Sequence, residues 1–426
     1  AYERPMENLI LYSQNSETSK KYFMKITRNI LMAVILILVS ATAYSQDKRT
    51  IETKVADLLA RFPANDNKLT EKLMGDMLSL GEQGMKMICD KIIPAGTGDD
   101  TPQRFAVESM SRYLSGKGME QERLRWEEMC IGYVNNSKDT GVKDFFMKQL
   151  QLIGGTRSAE AMKPYLLNKE LCEPAAAVII KADPLLSQSV FADALKNKDI
   201  PCAATLLNHM ALSGSETAIN EYVMWAGSPD RDIKASAYNA LAMTGNKKAE
   251  PVLLEAAKSA SFKWEPTAAV ESLLNYADIT AKKGNIKGSD KITKLVMASC
   301  DEPSNIHYKT KALEIYTRHH GMAAIKMLQN AASHQDKKYR NAAMAISLGI
   351  PGTEAVKSWI TFYPKAIPAA KPELISFLGK HGDASAIPTV TTALEDKDPL
   401  VRQEAAAAIA KLNGKKAVPS LINYVT

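Results

Sequence analysis

The sequence predicts an all-α fold built as a stack of short helical hairpins, and three observations predict it. One segment recurs along the chain, its apolar residues fall at three-and-four spacing, and no Val- and Ile-rich run alternates in the manner of a strand. The clearest copy starts Asp398-Pro399-Leu400-Val401-Arg402, continues through Ala405, Ala408 and Ile409, and ends Gly414-Lys415-Lys416-Ala417-Val418-Pro419-Ser420-Leu421. Moved back 168 residues, it falls on Asp230, Ile233-Lys234, Ala237, Ala240-Leu241, Asn246-Lys247-Lys248-Ala249 and Pro251-Val252-Leu253. Moved back 62, it meets Asp336, Tyr339-Arg340, Ala343, Ile346, Gly352, Ala355-Val356 and Trp359. Its second half recurs at Gly382 with Ala386-Ile387-Pro388, at Gly321 with Ala324-Ile325, and at Gly214 with Ala218-Ile219. The step from Ile387-Pro388 to Val418-Pro419, 31 residues, is the length of one unit.

Each unit reads as two helices. Asp398 is placed to cap the first, and Pro399 fits its opening turn, where a missing N–H costs nothing. Val401, Ala405, Ala408, Ile409 and Leu412 form one apolar face, and Asn413-Gly414 closes the helix. A second helix follows, with Pro419 early in it and Ala417, Val418, Leu421, Ile422 and Val425 facing inward. One such pair cannot bury its own apolar stripe, so neighbours must stack into a continuous core. The period allows about twelve units at most and predicts about ten or eleven.

Residues 140–426 keep this period well. Residues 46–139 are helical but less rich in alanine, and are expected to form a divergent capping segment. A second irregularity spans 258–320, where Ala268–Lys282, Gly284-Asn285 and Ser289–Cys300 resemble a tetratricopeptide-like hairpin inserted in the stack.

The first 45 residues read as an address. Met24, Lys25 and Arg28 precede the apolar run Ile30–Val39, then Ser40-Ala41-Thr42-Ala43-Tyr44-Ser45, which is the order of a bacterial secretory signal. The run falls short of the roughly 20 residues a membrane span needs. Cleavage is expected after Ser45, with Ala43 as the alternative, and no cysteine follows to carry a lipid. Residues 1–23 are expected to be upstream or non-native leader, with Met24 the true start, and the apolar end at Ser420–Thr426 predicts a longer natural chain. Without residues 1–45 the chain keeps 49 basic and 44 acidic side chains, a net +5 over 381 residues. So dilute a charge excludes a nucleic-acid face, which needs concentrated positive charge. Together with export it predicts a soluble monomer with no membrane span.

Five cysteines, Cys89, Cys130, Cys172, Cys202 and Cys300, form no C-x-x-C pair, which excludes the common zinc and redox motifs. Cys172 and Cys202 stand 30 residues apart, each before an alanine-rich helix. They can be bridged if their Cα atoms come within about 7 Å, but buried free thiols are the default reading.

The Asp-Pro-x-Val-Arg start with Gly-x-x-Ala-Val-Pro-x-Leu downstream resembles the HEAT-like repeat of phycobilisome-lyase type. That resemblance implies a right-handed α–α superhelix, a HEAT/armadillo-like solenoid. It also implies Asp–Arg ladders between repeats through Asp336/Arg340 and Asp398/Arg402, weakened at Asp230/Lys234 because lysine lacks a two-pronged head. More narrowly, the signal followed by Glu170-Leu171-Cys172-Glu173-Pro174-Ala175-Ala176 resembles the N-terminal region of exported bacterial proteins that carry a 3-keto-disaccharide hydrolase domain. That catalytic domain is a β-sandwich, and nothing in this chain matches it.

Residues for chemistry are scarce. No G-x-S-x-G, H-E-x-x-H, Walker or G-x-G-x-x-G pattern occurs, and Glu127-Glu128 diverge on a helix. The HEAT-like enzymes that hydroxylate protein side chains use His–Glu pairs, and none is present. Of six histidines, His319-His320 follow Arg318 at a helix end, where positive charge suits the dipole better than a metal. No catalytic residue, metal or cofactor is therefore assigned. Lys247, Lys248, Lys415 and Lys416 occupy one slot, the turn between paired helices, with Lys380 just ahead of it. Stacked turns line up along an edge, so these lysines form a candidate binding ridge, although exposed turns favour lysine anyway and plain solvated loop lysines are the default reading. Trp126, Trp225, Trp264 and Trp359 offer faces for sugar, except that Trp359 replaces a core leucine. The expected function is a non-enzymatic exported scaffold whose concave surface binds protein or glycan. The alternative is the N-terminal module of a glycoside-processing protein. A phycobilin-lyase-like enzyme is disfavoured by export.

Overall fold

The computed structural model describes residues 24, 25, 32, 49–64 and 66–425, with side chains up to residue 422. The leader 1–23 and nearly all of the signal 24–45 thus lie outside the described residues. Every regular element among the described residues is a helix. The chain divides into two compact units, residues 1–113 and 114–426. This boundary cuts the segment 46–139, whose last helix belongs to the second unit.

In the first unit, α1 (Ile51–Leu59) starts at Thr50, whose hydroxyl accepts the Thr53 N–H. Asp66 likewise caps α2 (Asn67–Ser79), accepting the Leu69 N–H at 2.8 Å. With α3 (Gly81–Cys89) these helices bury Val55, Leu58, Leu73, Met74, Met77 and Ile88. α4 (Thr101–Leu114) ends the unit.

The second unit opens with α5 (Glu120–Asn136) and continues as helix pairs. They are α6 (Thr140–Ile153) with α7 (Thr156–Met162), α8 (Cys172–Ala182) with α9 (Pro184–Ala194), and α10 (Ala203–Ser213) with α11 (Ile219–Trp225). Next come α12 (Arg231–Thr244) with α13 (Ala249–Ser259), α14 (Ala269–Lys282) with α15 (Ile286–Ser299), and α16 (Ile306–His320) with α17 (Ile325–Ala331). The last are α18 (Lys337–Ser347) with α19 (Glu354–Phe362), α20 (Lys371–His381) with α21 (Ile387–Ala393), and α22 (Pro399–Asn413) with α23 (Val418–Val425). Even-numbered helices pack on even ones, from α6 against α8 to α20 against α22, and the odd ones form a second layer. These nine pairs fall short of the ten or eleven the period predicts, since the residues up to 113 belong to the first unit.

The punctuation predicted at Asp230, Asp336, Asp398, Gly214 and Gly382 is used, and Asp139, Asp183 and Gly245 add to it. Asp139, Asp183, Asp230, Asp336 and Asp398 each accept backbone N–H groups at the start of a helix. Gly214, Gly245 and Gly382 close α10, α12 and α20 at positive φ, which L-residues with a Cβ resist. The 258–320 irregularity keeps the alternation, because α14 packs between α12 and α16. What is unusual is the loop before α14, where Ser261, Phe262 and Ala268 all take positive φ.

Contacts recur at one period. The Trp225 indole donates to the Leu195 carbonyl 30 residues back, and Gln329 donates to the Ser358 carbonyl 29 residues ahead. Glu127, only 2% exposed, accepts from the Gly155 and Ser158 N–H groups and from the Ser158 hydroxyl 31 residues away. It thereby caps α7, whose own capping residue Gly155 has no side chain to do so. Cys172 and Cys202, also 30 apart, are joined as a disulfide with Cα atoms 5.8 Å apart, which ties the starts of α8 and α10. Cys89, Cys130 and Cys300 are buried free thiols.

Candidate interaction surface

The turns between paired helices lie along one edge of the stack, and the sequence-predicted lysines are on it. Lys247 and Lys248 sit between α12 and α13, Lys380 in the last turn of α20, and Lys415 and Lys416 between α22 and α23. All five are exposed. Lys248 donates to Asn220 Oδ1 at 2.9 Å, while the other four carry no ion pair among the described residues. Lys380, Lys415 and Lys416 belong to adjacent hairpins.

The ridge is not continuous. Between its two parts, Lys282 pairs with Asp278 at 2.8 Å, Lys283 with Glu216 at 2.6 Å, and Arg318 with Asp278 at 2.9 Å. The hydrogen bond from Lys283, helped by Asn246, holds the Glu216 carboxyl below the usual carboxylate range. Burial pushes Asp278 up, but hydrogen bonds from Lys282 and His319 and the charge of Arg318 outweigh it, so this carboxyl too lies low. The next turn, between α18 and α19, has no basic residue at all. Sequence reasoning found the free lysines and missed the carboxylates that silence their neighbours.

The expected Asp–Arg ladder takes another form. Asp230, Asp336 and Asp398 turn their carboxylates onto the free N–H groups of their own helices, so they do not reach the next repeat. Lys234 lies near Glu265. Arg402 donates to the Asp396 and Lys397 carbonyls at 2.9 and 3.2 Å. Arg340 donates in the same way to the His334 and Gln335 carbonyls, and its other nitrogens form a two-pronged pair with Glu373 of α20, both at 2.8 Å. The cross-repeat carboxylate is therefore Glu373, one period away, and its bonds raise Arg340 further above its ordinary range.

Of the tryptophans, Trp126, Trp225 and Trp359 are buried, and Trp264 alone is exposed, on the loop before α14. His319 and His320 are held by Asp278 and Asp290, at 2.9 and 2.7 Å. No group of three His, Cys, Asp or Glu side chains is set to hold a metal among the described residues. A depression lined by Gln329, Glu354, Lys357, Ser358, Thr361, Phe362 and Lys365 is open and polar.

Residues 366–426 match the sequence family described as HEAT repeats. Across 88% of this chain the backbone aligns, at a TM-score of 0.50 and 11% identity, with a chain of the solved structure in which Kap95p binding induces the switch loops of RanGDP to adopt the GTP-bound conformation. The protein is a HEAT/armadillo-like helical repeat solenoid. This HEAT-like chain spans 58% of that neighbour's length. A crystal structure of an engineered protein also aligns, covering 85% of the HEAT-like chain and 99% of its own, at a TM-score of 0.30 and 15% identity. No curated protein matches the sequence. HEAT repeats suggest an interaction scaffold, and among the described residues no helix is long and apolar enough to cross a membrane.

Proposed function

We propose that this solenoid is a non-catalytic scaffold, exported from a bacterial cell, that binds an acidic protein or glycan along its turn edge. One observation carries the reading: Lys380, Lys415 and Lys416 stand exposed and unpaired on adjacent hairpins, while Lys282, Lys283 and Arg318 on the same edge are neutralised. Free amines on a fixed spacing attract a polyanion, and each contact weakens with salt. The buried tryptophans leave little aromatic surface for neutral sugar, so charge is the better supported recognition element.

Surface plasmon resonance on immobilised poly-glutamate and oligogalacturonate tests this. Binding that falls with salt and is lost in the Lys380→Glu/Lys415→Glu/Lys416→Glu chain supports the ridge. Equal binding by both chains, or none by the unmodified one, overturns it. Export predicts a secreted form whose N-terminus lies near Gln46, read by mass spectrometry of cell fractions. The resemblance to hydrolase-bearing exported proteins adds a second reading, in which the solenoid is the non-catalytic part of a glycoside-processing chain. An in-frame stop directly after Thr426 in the genomic sequence removes it.

A further inference from the structure

Three imidazoles between α14 and α18 bond carboxylates from other elements through Nε2: His319 to Asp278, His320 to Asp290 and His334 to Asp301. His334 differs in one respect. Its Nδ1 lies 3.0 Å from the backbone N of Asp336, and that group can only donate. Nδ1 must therefore accept, which fixes His334 as the neutral Nε2–H tautomer, donating to Asp301 Oδ1 at 2.8 Å. Asp336 is also the residue that caps α18, accepting the Tyr339 N–H. The Arg340 guanidinium holds the carbonyls of His334 and Gln335 and reaches Glu373 in the following repeat. One imidazole thus ties the loop 332–336 to Asp301, beside the cap of α18 and the Arg340–Glu373 pair that joins α18 to α20.

We propose that this loop is an acid-released catch between the α16–α17 and α18–α19 hairpins. Imidazole is the side chain whose ordinary titration falls between about pH 5 and 8. The ring is 19% exposed, so protons reach it. A proton can bind only at Nδ1, and once there it faces the Asp336 N–H donor to donor. That bond breaks, while the imidazolium keeps its hold on Asp301. The charged groups around it do not restore the contact. Asp301 already pairs with Lys309 from α16, whose ammonium also lies over the Tyr339 ring. From α18, Arg340 presents its positive head to the same loop, already matched by Glu373 of α20, and Lys337 and Lys338 add charge of the same sign in the first turn. Glu302 beside Asp301 is engaged by Lys263. The Asp336 carboxylate is committed to the helix cap. Acid therefore frees the backbone at Asp336 and loosens the start of α18. Among the described residues no backbone N–H donates to His319 or His320.

Hydrogen exchange on the full chain, corrected for intrinsic rates, reads this directly. Between about pH 7.5 and 5.5, peptides over 332–342 are expected to lose protection about five-fold, the equivalent of one hydrogen bond. Peptides over α10 and α12 should keep theirs. In His334→Asn the side-chain carbonyl supplies an acceptor for the Asp336 N–H that no proton can occupy, so protection should become independent of pH. Equal losses in both chains, or no loss in the unmodified one, overturn the catch. Imidazole ¹⁵N spectra of the unmodified chain at about pH 7.5 decide independently of any variant, because a His334 resonance of the Nδ1–H tautomer removes the premise.

Discussion

The α20–α22 seam and the α14–α18 segment belong to one stack, yet different chemistry closes them. At the first, Gly379 meets Ala408 so closely that a Cβ on residue 379 would lie 2.6 Å from the Ala408 Cβ. Leu374, Phe377, Leu378, Ala405 and Ile409 fill the rest, all buried and none polar. At the second, Asp278 and Asp290 bind imidazoles of another helix, Asp301 binds that of the loop before α18, and Arg340 and Glu373 are nearly buried as a pair. A dry seam depends on shape alone and is indifferent to pH and salt. A polar one holds only while its charges stay matched, so the same repeat yields stiff and responsive stretches.

The largest test of that contrast is Arg340→Met. It leaves the nearly buried Glu373 carboxylate without its partner and is expected to cost about 3–5 kcal/mol by denaturant titration. Adding Glu373→Leu removes the orphaned charge and should recover most of the loss. A single substitution costing under about 1 kcal/mol would mean that the pair is incidental to the polar segment.

Gly379→Ala probes the dry seam. Alanine normally gains about 0.5–1 kcal/mol over glycine inside a helix. Here the added methyl must push α20 away from α22, and overpacking costs about 1–3 kcal/mol. A net loss, read as a lower denaturant midpoint, shows that the seam is set by backbone approach. A net gain shows that it yields, and that its tightness is not what separates it from the polar segment.

The dry seam was the legible one. Alanine recurs in register at Ala237, Ala343 and Ala405, and the aspartate caps and closing glycines carry local signals, so the hairpins could be placed from the sequence. The polar seam was not, because its partners are side chains about one period apart with no motif of their own: Arg340 with Glu373, His320 with Asp290. The period held the missing signal. Offsetting the sequence against itself by about 30 residues and looking for opposite charges, rather than identical residues, would have brought out Glu373 and Asp290. The same blindness made the lysine edge look continuous, since Asp278 and Glu216 lie on other repeats than Arg318 and Lys283, which they neutralise.

The smallest expected effect is the acid sensitivity of Asp278, and it separates the two seams by pH alone. Its folded carboxyl titrates below the ordinary 3.8, so the stability it contributes is complete above that value and is lost as pH falls through the lower folded one. Arg318 and Lys282 are about half exposed, and solvent screening limits the contribution to less than about 1 kcal/mol. In Asp278→Asn the denaturant midpoint should drop slightly near neutrality, and the acid-induced decline below about pH 4 should become shallower than in the unmodified chain. Added salt should shrink that difference. Gly379→Ala should shift the whole curve without changing its slope against pH, because the atoms that a Cβ at 379 meets belong to Ala408 and do not titrate. Parallel acid limbs for both variants would show that Asp278 does not mark the polar segment as the pH-dependent one.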